Sequence, residues 1–187
     1  MASFDQFYPI LEPNEGGYVS AATAASIGDS GGETYKGVAR NYNPTWEGWK
    51  IIDAYKAANG GKIKHNAIIP DPVLNKMVKD LAKKKYWDVM RLDEVRNQSL
   101  ANLIADFGFN SGTGAPAKAI QRILGLVQDG VIGPVTIKAI NSANQKTLFE
   151  KLKEARINFI NSSTKILDKI KPQLVERADS FFFREEK

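Results

Sequence analysis

Apolar residues recur along most of the chain with the period of an α-helix. The first segment follows the spacing i, i+3, i+4, i+7 through Phe4, Phe7, Tyr8 and Leu11. This spacing predicts an amphipathic helix at the start of the chain. Pro9 lies inside the pattern, so we expect it to bend the helix or to delay its start. From residue 46 onward the same period returns in one segment after another, and most of the chain is therefore predicted to be helical.

Capping and turn residues indicate where the later helices begin and end. Asp71 is an N-cap residue followed by proline at the first helical position, and Ser99 is the predicted cap of a further helix. The polar, glycine-containing run 110–114 interrupts the helical pattern. We therefore predict a boundary there, between a first region over residues 1–112 and a second, helical region over residues 113–187.

One segment near the N-terminus has a different pattern. Tyr18-Val19-Ser20 is a β-compatible run, the glycine-rich turn 28–32 follows, and residues 33–38 are again β-compatible. This arrangement predicts a small β-hairpin with Asp29 at its tip and Thr34 in its return strand. The predicted fold class is thus mainly α, with one small β-hairpin near the N-terminus.

The composition limits the chemistry that the chain can perform. The 187 residues include no cysteine and one histidine, His65. Thiolate nucleophiles, disulfides and zinc-thiolate sites are therefore excluded. One histidine cannot form the two- or three-histidine shell of most catalytic zinc and non-haem iron sites, and we predict neither a metal nor a cofactor. Carboxylates, hydroxyls, amides and aromatic rings remain, which suit glycoside or phosphate chemistry, carbohydrate binding or a scaffold.

Charge is unevenly distributed along the chain. The formal net charge is +5, but residues 1–50 hold six acidic and three basic side chains, whereas residues 51–187 hold 15 acidic and 23 basic ones. A basic body suits an anionic partner such as cell wall, nucleic acid or a membrane surface. The alternative is a few extra lysines on solvated helix faces.

Neither a membrane span nor a secretion signal is visible in the sequence. No stretch approaches the roughly 18 to 20 continuous apolar residues of a transmembrane helix. Residues 1–11 contain an acid, Asp5, and lack both a basic n-region and an apolar h-region. We therefore expect no stable membrane insertion, and synthesis in the cytoplasm without a signal peptide.

Glu15 is the most conspicuous candidate for chemistry because of its position. It follows the first predicted helix and precedes two glycines, which permit close approach of a ligand to the backbone. A glutamate at a helix end that faces Asp29 and Thr34 of a hairpin can protonate a leaving oxygen from one side and hold an attacking water on the other. The alternative is that Glu15 and Asp29 are turn and cap residues.

Four elements of the sequence, in this order, carry a family resemblance: Glu15-Gly16-Gly17-Tyr18, residues 29–39 (DSGGETYKGVA), Tyr86-Trp87, and Asp106 with residues 109–112. Together they resemble the successive signatures of glycoside hydrolase family 108, which comprises N-acetylmuramidases of bacteria and their phages. Gln121 and residues 129–136 resemble the predicted peptidoglycan-binding segment that follows the catalytic part in that family. Glu15, Asp29 and Thr34 also follow the order of the catalytic residues in bacteriophage-type lysozymes.

The resemblance implies a lysozyme-like helical fold and hydrolysis of the β-1,4 bond between N-acetylmuramic acid and N-acetylglucosamine. Glu15 is then the general acid, with a pKa raised by partial burial so that it is protonated near neutral pH. Asp29 polarises a water and Thr34 positions it. The separation of the two carboxyl groups would distinguish an inverting from a retaining mechanism.

Four further residues are predicted to bind the substrate. Tyr18, Tyr35 and Trp87 offer apolar ring faces for pyranose rings and polar tips for hydroxyls. The alternative for Trp87 is a position in the core. Asn110 is predicted to hydrogen-bond an N-acetyl group, or else to cap the following turn.

The same resemblance implies a partner and a place of action. We expect the partner to be the glycan strands of peptidoglycan, reached in the cell wall or the periplasm. The missing signal favours a phage or prophage endolysin, or a muramidase that is released through a companion holin.

Three alternatives stay open. A catalytically inactive wall-binding protein would bind without producing reducing ends. A lytic transglycosylase needs only one glutamate and would leave 1,6-anhydro ends. A basic helical nucleic-acid binder would lose affinity steeply with salt; because the sequence contains no nucleic-acid motif, we predict no such partner.

Overall fold

A computed structural model describes residues 1–26, 28, 30–164 and 166–185, with Asn14 described by its backbone alone. Asp29, the predicted hairpin-tip residue, lies outside the described residues. The described helices are α1 (Phe4–Leu11), α2 (Ala21–Ser26), α3 (Gly48–Ala58), α4 (Pro72–Ala82), α5 (Gln98–Ser111), α6 (Gly114–Ile123), α7 (Pro134–Ser142), α8 (Gln145–Ser162) and α9 (Lys171–Asp179). The described strands are β1 (Tyr18–Val19), β2 (Thr34–Tyr35) and β3 (Val38–Ala39). The predicted mainly helical fold with a small sheet near the N-terminus is confirmed.

The chain divides into two compact units. The first, which we call the sheet unit, is Tyr8–Ala82, and the second, the helical unit, comprises Met1–Phe7 and Lys83–Lys187. Helix α1 therefore contributes its first residues to the helical unit and its last residues to the sheet unit. The boundary at residue 112 stays a prediction.

The small sheet has its tight turn at a place that the sequence pattern does not predict. Strands β2 and β3 form a hairpin through Lys36 and Gly37, whose φ angles are 43° and 74°. Positive φ at both central residues is the requirement of a type I′ turn, which matches the twist of a hairpin. Helix α2 lies in the connection between β1 and β2, where the sequence predicts only a turn, because the run Ala21–Ser26 is rich in alanine, the best helix former.

The strand register decides which side chains of the sheet are buried. Tyr18 is paired with Tyr35 across β1 and β2, and Val19 is paired with Thr34. Because side chains alternate along a strand, the two tyrosines share one face and Thr34 lies on the other. The tyrosine face joins a buried cluster with residues of α3 and α4: Val38, Trp49, Ile52, Ile69, Leu74 and Val78. Burying each large apolar side chain contributes about 1.5–3 kcal/mol to stability.

Side-chain caps begin helices α4 and α5. Asp71 Oδ1 accepts a hydrogen bond from the backbone N–H of Leu74 at 2.8 Å, as expected of the predicted N-cap of α4. The cap of α5 is Asn97, whose Oδ1 accepts from the Leu100 N–H at 3.0 Å, and not the predicted Ser99. Ser99 instead accepts a hydrogen bond from the backbone N–H of Arg184 at 3.1 Å, a long-range contact that no local pattern reveals.

A buried ion-pair network connects three helices of the helical unit. Asp106 in α5 is fully buried, and its Oδ2 lies 2.5 Å from Arg156 Nη2 in α8. Arg177 in α9 donates from Nε to the two oxygens of Asp106 at 3.0 and 3.2 Å. Removing one partner of a buried pair costs about 3–5 kcal/mol because it leaves a charge without compensation. Asp106 is therefore a structural residue that fixes α8 and α9 against α5.

Within the described residues, no helix has both the length and the apolar character that crossing a membrane requires.

Candidate active site

Glu15 stands where the first helix gives way to the sheet. Helix α1 ends at Leu11, and one turn of 3-10 helix, Glu12–Asn14, follows it. Glu15 then adopts an extended backbone, with φ −90° and ψ 112°, and its N–H donates to the Glu12 carbonyl at 3.1 Å. Its side chain is half-buried. The chain thus presents this carboxylate at a helix exit and not along a solvated helix face.

The two glycines after Glu15 have a packing role that the sequence does not reveal. The Gly17 N–H donates to Asn66 Oδ1 at 2.6 Å, and β1 continues this contact because the Tyr18 N–H donates to Ala67 O at 3.0 Å. A Cβ at Gly17 would collide with the backbone carbonyls of Asn66 and Ala67. The glycine therefore admits a neighbouring segment of the chain itself.

Asn66 is a site residue that sequence reasoning missed. It lies 49 positions from Gly17, and its φ of 60° is one that asparagine tolerates better than most residues. Its side chain holds the Glu15-Gly16-Gly17 segment, while its own N–H donates to Tyr18 O at 2.7 Å. The exposed His65 next to it is a turn residue.

Tyr8 is a second residue that the sequence did not single out. It lies in the last turn of α1, one turn before Glu12. The pKa of Tyr8 is raised to about 12, first by burial and then by the nearby groups of Glu12, Glu15 and Tyr35. The phenol is therefore protonated at neutral pH and able to donate a hydrogen bond. The i, i+4 spacing of Tyr8 and Glu12 is the signal that could have found it.

Two ammonium groups lie close to this group of side chains. Lys36 Nζ is 3.3 Å from Glu12 Oε1, and Lys79 Nζ lies 5.3 Å from the centroid of the Tyr8 ring. Lys36 is buried, so its charge acts with little screening by water. The surroundings of Glu15 therefore combine a phenol, a second carboxylate and nearby positive charge, which can exchange protons and bind polar substrate groups.

Thr34 lies in β2, on the sheet face opposite to the tyrosines. Its Oγ1 donates a hydrogen bond to the Gly32 carbonyl at 2.9 Å, and the side chain is half-buried. The hydroxyl proton is thus engaged, while the oxygen retains acceptor capacity. The pairing of Glu15 with Asp29 stays a prediction.

Glu33, next to Thr34, is the centre of a polar network that the sequence did not predict. The Tyr18 hydroxyl donates to Glu33, and Lys56 Nζ donates to its Oε1 at 2.6 Å. Arg40 Nε lies 2.7 Å from Glu33 Oε2, and Arg40 is also paired with Asp53. Burial alone would raise the pKa of Glu33, but hydrogen bonds from Lys56 and Tyr18 and the charges of Arg40 and Lys56 hold it below its usual value. Glu33 is therefore an ionised carboxylate that anchors β1 and β2.

Tyr18 and Tyr35 occupy core positions and not an accessible surface. Both side chains are almost completely buried. The Tyr18 hydroxyl is used by Glu33, and the Tyr35 hydroxyl accepts from the Ile69 N–H at 3.1 Å. The reason is the strand register, which turns both rings toward α3 and α4. A ring without an exposed face cannot stack on a pyranose, so this structure supports a core role for the two residues.

Trp87 and Asn110 belong to the helical unit. Trp87 is fully buried; its ring centroid lies 5.7 Å from that of Phe4 and from that of Phe7, and its Nε1 donates to Asp93 at 2.6 Å. This is the core position that was the alternative for Trp87. Asn110 lies in the last turn of α5, not in a loop, and its Nδ2 donates back to the Asp106 carbonyl at 2.8 Å. Asn110 is exposed, so its amide oxygen can still reach a ligand.

No cluster of three or more histidine, aspartate or glutamate side chains that could hold a metal is found among the residues that the structure describes.

The helical fold with a small antiparallel sheet near the N-terminus is lysozyme-like. The family model described as Glycosyl hydrolase 108 matches residues 9–112, and the model described as Predicted Peptidoglycan domain matches residues 115–167. The chain belongs to glycosyl hydrolase family 108. It is therefore a glycoside hydrolase that acts on peptidoglycan.

A solved structure has the same fold. It is titled "Structure of Brucella abortus SagA", and it matches this chain with a TM-score of 0.62 and 22% sequence identity. The match covers 95% of this chain and 94% of that chain. No curated protein matches the sequence at a significant level.

Proposed function

We propose that the protein is an N-acetylmuramidase, which hydrolyses the β-1,4 bond between N-acetylmuramic acid and N-acetylglucosamine with Glu15 as the general acid. The observation that carries this proposal is the position of Glu15, half-buried at the exit of α1 beside Tyr8 and Glu12. Partial burial favours the protonated form of a carboxylic acid. A protonated glutamate can give its proton to the leaving glycosidic oxygen.

The remaining step is attack by water on the anomeric carbon. We propose that Asp29 removes a proton from this water, while Thr34 orients it. The Thr34 hydroxyl donates to Gly32 O, so its oxygen is left to accept a hydrogen bond from the water. The glycosidic C–O bond breaks, the water oxygen joins the anomeric carbon, and the proton from Glu15 completes the new hydroxyl of the leaving sugar. An inverting mechanism needs roughly 6.5 to 9.5 Å between the two carboxyl groups to hold this water.

The first test is Glu15→Gln, which keeps the size of the side chain and removes the acidic proton. We expect clearing of a purified cell-wall suspension to fall by at least about a hundredfold, the lower end of what a general acid contributes. Glu12→Gln is the matched control, because it removes a carboxylate from the same turn. We expect this variant to retain most activity. Full activity of a folded Glu15→Gln protein would contradict the assignment.

The products distinguish hydrolysis from lytic transglycosylation. Hydrolysis leaves reducing N-acetylmuramic acid ends, whereas transglycosylation leaves 1,6-anhydro ends. Mass spectrometry of released muropeptides should therefore show reducing ends alone. Binding of the wall without any released product would identify an inactive binding protein.

The route to the wall is a separate part of the proposal. Peptidoglycan lies outside the cytoplasmic membrane, and we propose release through a companion holin, as for an endolysin of a phage or prophage. Expression with and without a holin in one host provides the test. Lysis is expected only when the holin is present, and lysis without it would overturn this part.

A further inference from the structure

We propose that the sheet unit carries a second, non-catalytic binding site for an N-acetylated hexosamine of the glycan strand, in an open pocket between α3 and residues 69–71. The ligand assignment rests on the proposed function, because it assumes that wall glycan is the substrate. The pocket has a volume of about 440 Å³, within the usual range of small-ligand sites. Its α3 wall is formed by Lys50, Ile51, Ala54 and Tyr55.

The pocket has an apolar floor and a polar edge. Ile51 and Tyr55 are half-buried and pack against the core of the sheet unit, and Ile69 is buried in that core. Such a floor suits the apolar face of a pyranose ring and the methyl group of an acetamide. Lys50 and Asp71 supply polar groups around it.

The polar groups at the edge retain hydrogen-bonding capacity. Asp71 Oδ1 accepts from the Leu74 N–H, and a carboxylate oxygen pair can accept several more hydrogen bonds. Among the described residues, none forms a hydrogen bond with the Tyr55 hydroxyl, which can therefore donate to or accept from a sugar hydroxyl. These are the groups that fix the orientation of a sugar on an apolar floor.

The charge of the pocket favours a neutral ligand. Lys50 and Asp71 line the pocket and carry opposite charges. Lys50 forms an ion pair with the exposed Glu47, with Nζ 2.5 Å from Oε2. A site for an acidic wall polymer would instead collect positive charge. An N-acetylglucosamine unit, which is uncharged and carries an acetamide, fits both the apolar floor and this balance.

The pocket lies on the opposite side of the sheet from Thr34. The face of Tyr18 and Tyr35 packs against α3, which forms one wall of the pocket, whereas Thr34 is on the other face. Tyr35 also fixes the second wall, because its hydroxyl accepts from the Ile69 N–H at 3.1 Å. A sugar in the pocket is therefore not the one that is cleaved at Thr34. A second attachment raises the local concentration of enzyme on an insoluble strand.

Filling the pocket tests the proposal. Ala54 is exposed on α3, so Ala54→Trp places a large ring in the pocket without disturbing the core. Ala57→Trp is the matched control, because Ala57 is exposed on the same helix and does not line the pocket. The probe is triacetylchitotriose, titrated into the isotope-labelled full-length protein and followed by the amide resonances of Tyr55 and Asp71.

We expect these resonances to shift in the wild type and in Ala57→Trp, and to stop shifting in Ala54→Trp. Clearing of insoluble cell wall should also fall several-fold in Ala54→Trp alone, while cleavage of short soluble glycan fragments is unchanged. Unaltered shifts in Ala54→Trp, or shifts confined to residues near Glu15, would overturn the second site. If the resonances of Tyr55 and Asp71 shift with an anionic polyphosphate probe but not with the sugar, the assignment of an N-acetylated hexosamine as the ligand is overturned.

The binding experiment does not depend on catalysis. If the wild type shows the shifts but releases no muropeptides, the second site stands and the proposed hydrolysis fails. If the wild type releases muropeptides but shows no shifts, the proposed hydrolysis stands and the second site fails.

Discussion

At the residue scale, Glu15 and Glu33 are two glutamates of one small unit that have different neighbours. Glu33 is buried among Lys56, Arg40 and the Tyr18 hydroxyl, which hold its pKa below the usual value and keep it ionised. Glu15 has Tyr8 and a second carboxylate nearby. Glu33 is thus an anchor, whereas the acid role of Glu15 is a proposal, and the charges around each carboxyl group bear on the role that it can take.

Glu33→Gln should lower the free energy of unfolding by about 2–3 kcal/mol at neutral pH. The reason is that Lys56 and Arg40, which are partly buried, lose the Glu33 carboxylate that compensates their charge. We choose a value at or below the low end for buried pairs, since Lys56 and Arg40 side chains are 33% and 31% exposed. Denaturant unfolding with a fluorescence readout measures the loss. Asp53→Asn is the control; its side chain is 52% exposed, and its loss should cost less than about 1 kcal/mol.

The pH dependence of this loss follows from the lowered pKa of Glu33. A group whose pKa is depressed in the folded state contributes stability above its unfolded pKa and loses it as pH falls through the folded pKa. The difference in unfolding free energy between wild type and Glu33→Gln should therefore be constant at pH values well above 4.5, the ordinary pKa of a glutamate, and shrink at lower pH. A difference that grows on acidification would contradict the ionised, anchoring role.

At the element scale, the junction of α1 and β1 depends on how closely another segment approaches it. Gly17 lies against the Asn66 and Ala67 carbonyls, so the exit of α1 is defined by contact with a loop almost fifty residues away. The same loop hydrogen-bonds on both sides of Tyr18. The position of Glu15 therefore depends on β1 and this loop together, and not on α1 alone.

Gly17→Ala should cost about 3 kcal/mol, the upper end of the range for overpacking, because the added methyl group meets backbone and not a movable side chain. Gly16→Ala is the matched neighbour. Its Cβ would lie 3.1 Å from Asn66 Oδ1, the end of a side chain that can shift, and we expect a loss below about 1 kcal/mol. Thermal unfolding of both variants gives the comparison. Equal losses of stability in the two variants would show that the close approach of residues 66–67 does not restrict the side chain at position 17.

At the scale of the whole molecule, charge is the property that bears on the substrate. The sequence carries a net charge of +5, with the basic excess after residue 50. Acidic groups of a bacterial wall attract such a protein over distances comparable to the Debye length, which is about 8 Å at physiological ionic strength. Hydrogen bonds between sugar and pocket are much less sensitive to salt.

Adsorption of Glu15→Gln protein to purified cell wall should therefore weaken several-fold as salt rises from about 0.05 to 0.5 M. Sedimentation of the wall with bound protein measures this. The catalytically impaired variant keeps the wall intact during the assay. Triacetylchitotriose, which is uncharged, provides the control. Its affinity for the pocket between α3 and residues 69–71 should change little over the same range of salt concentration. Adsorption that does not depend on salt would show that charge contributes little.

Local chemistry made parts of this protein predictable from sequence. The helical period and the proline and aspartate that begin α4 depend on neighbours within a few residues, so the sequence by itself determined them. The family signatures extended this to the activity on peptidoglycan.

Only the tertiary structure decided which aromatic rings are buried and which segments meet. The rings of Tyr18, Tyr35 and Trp87 could either stack on a sugar or pack in a core, and their residue types do not distinguish the two. The packing of the strand or helix that carries each ring places it in the core. The contacts of Asn66 with Gly17 and of Lys56 with Glu33 join residues 49 and 23 positions apart. Burial and long-range contact depend on how elements pack in space, and a one-dimensional pattern of residue types does not contain that information.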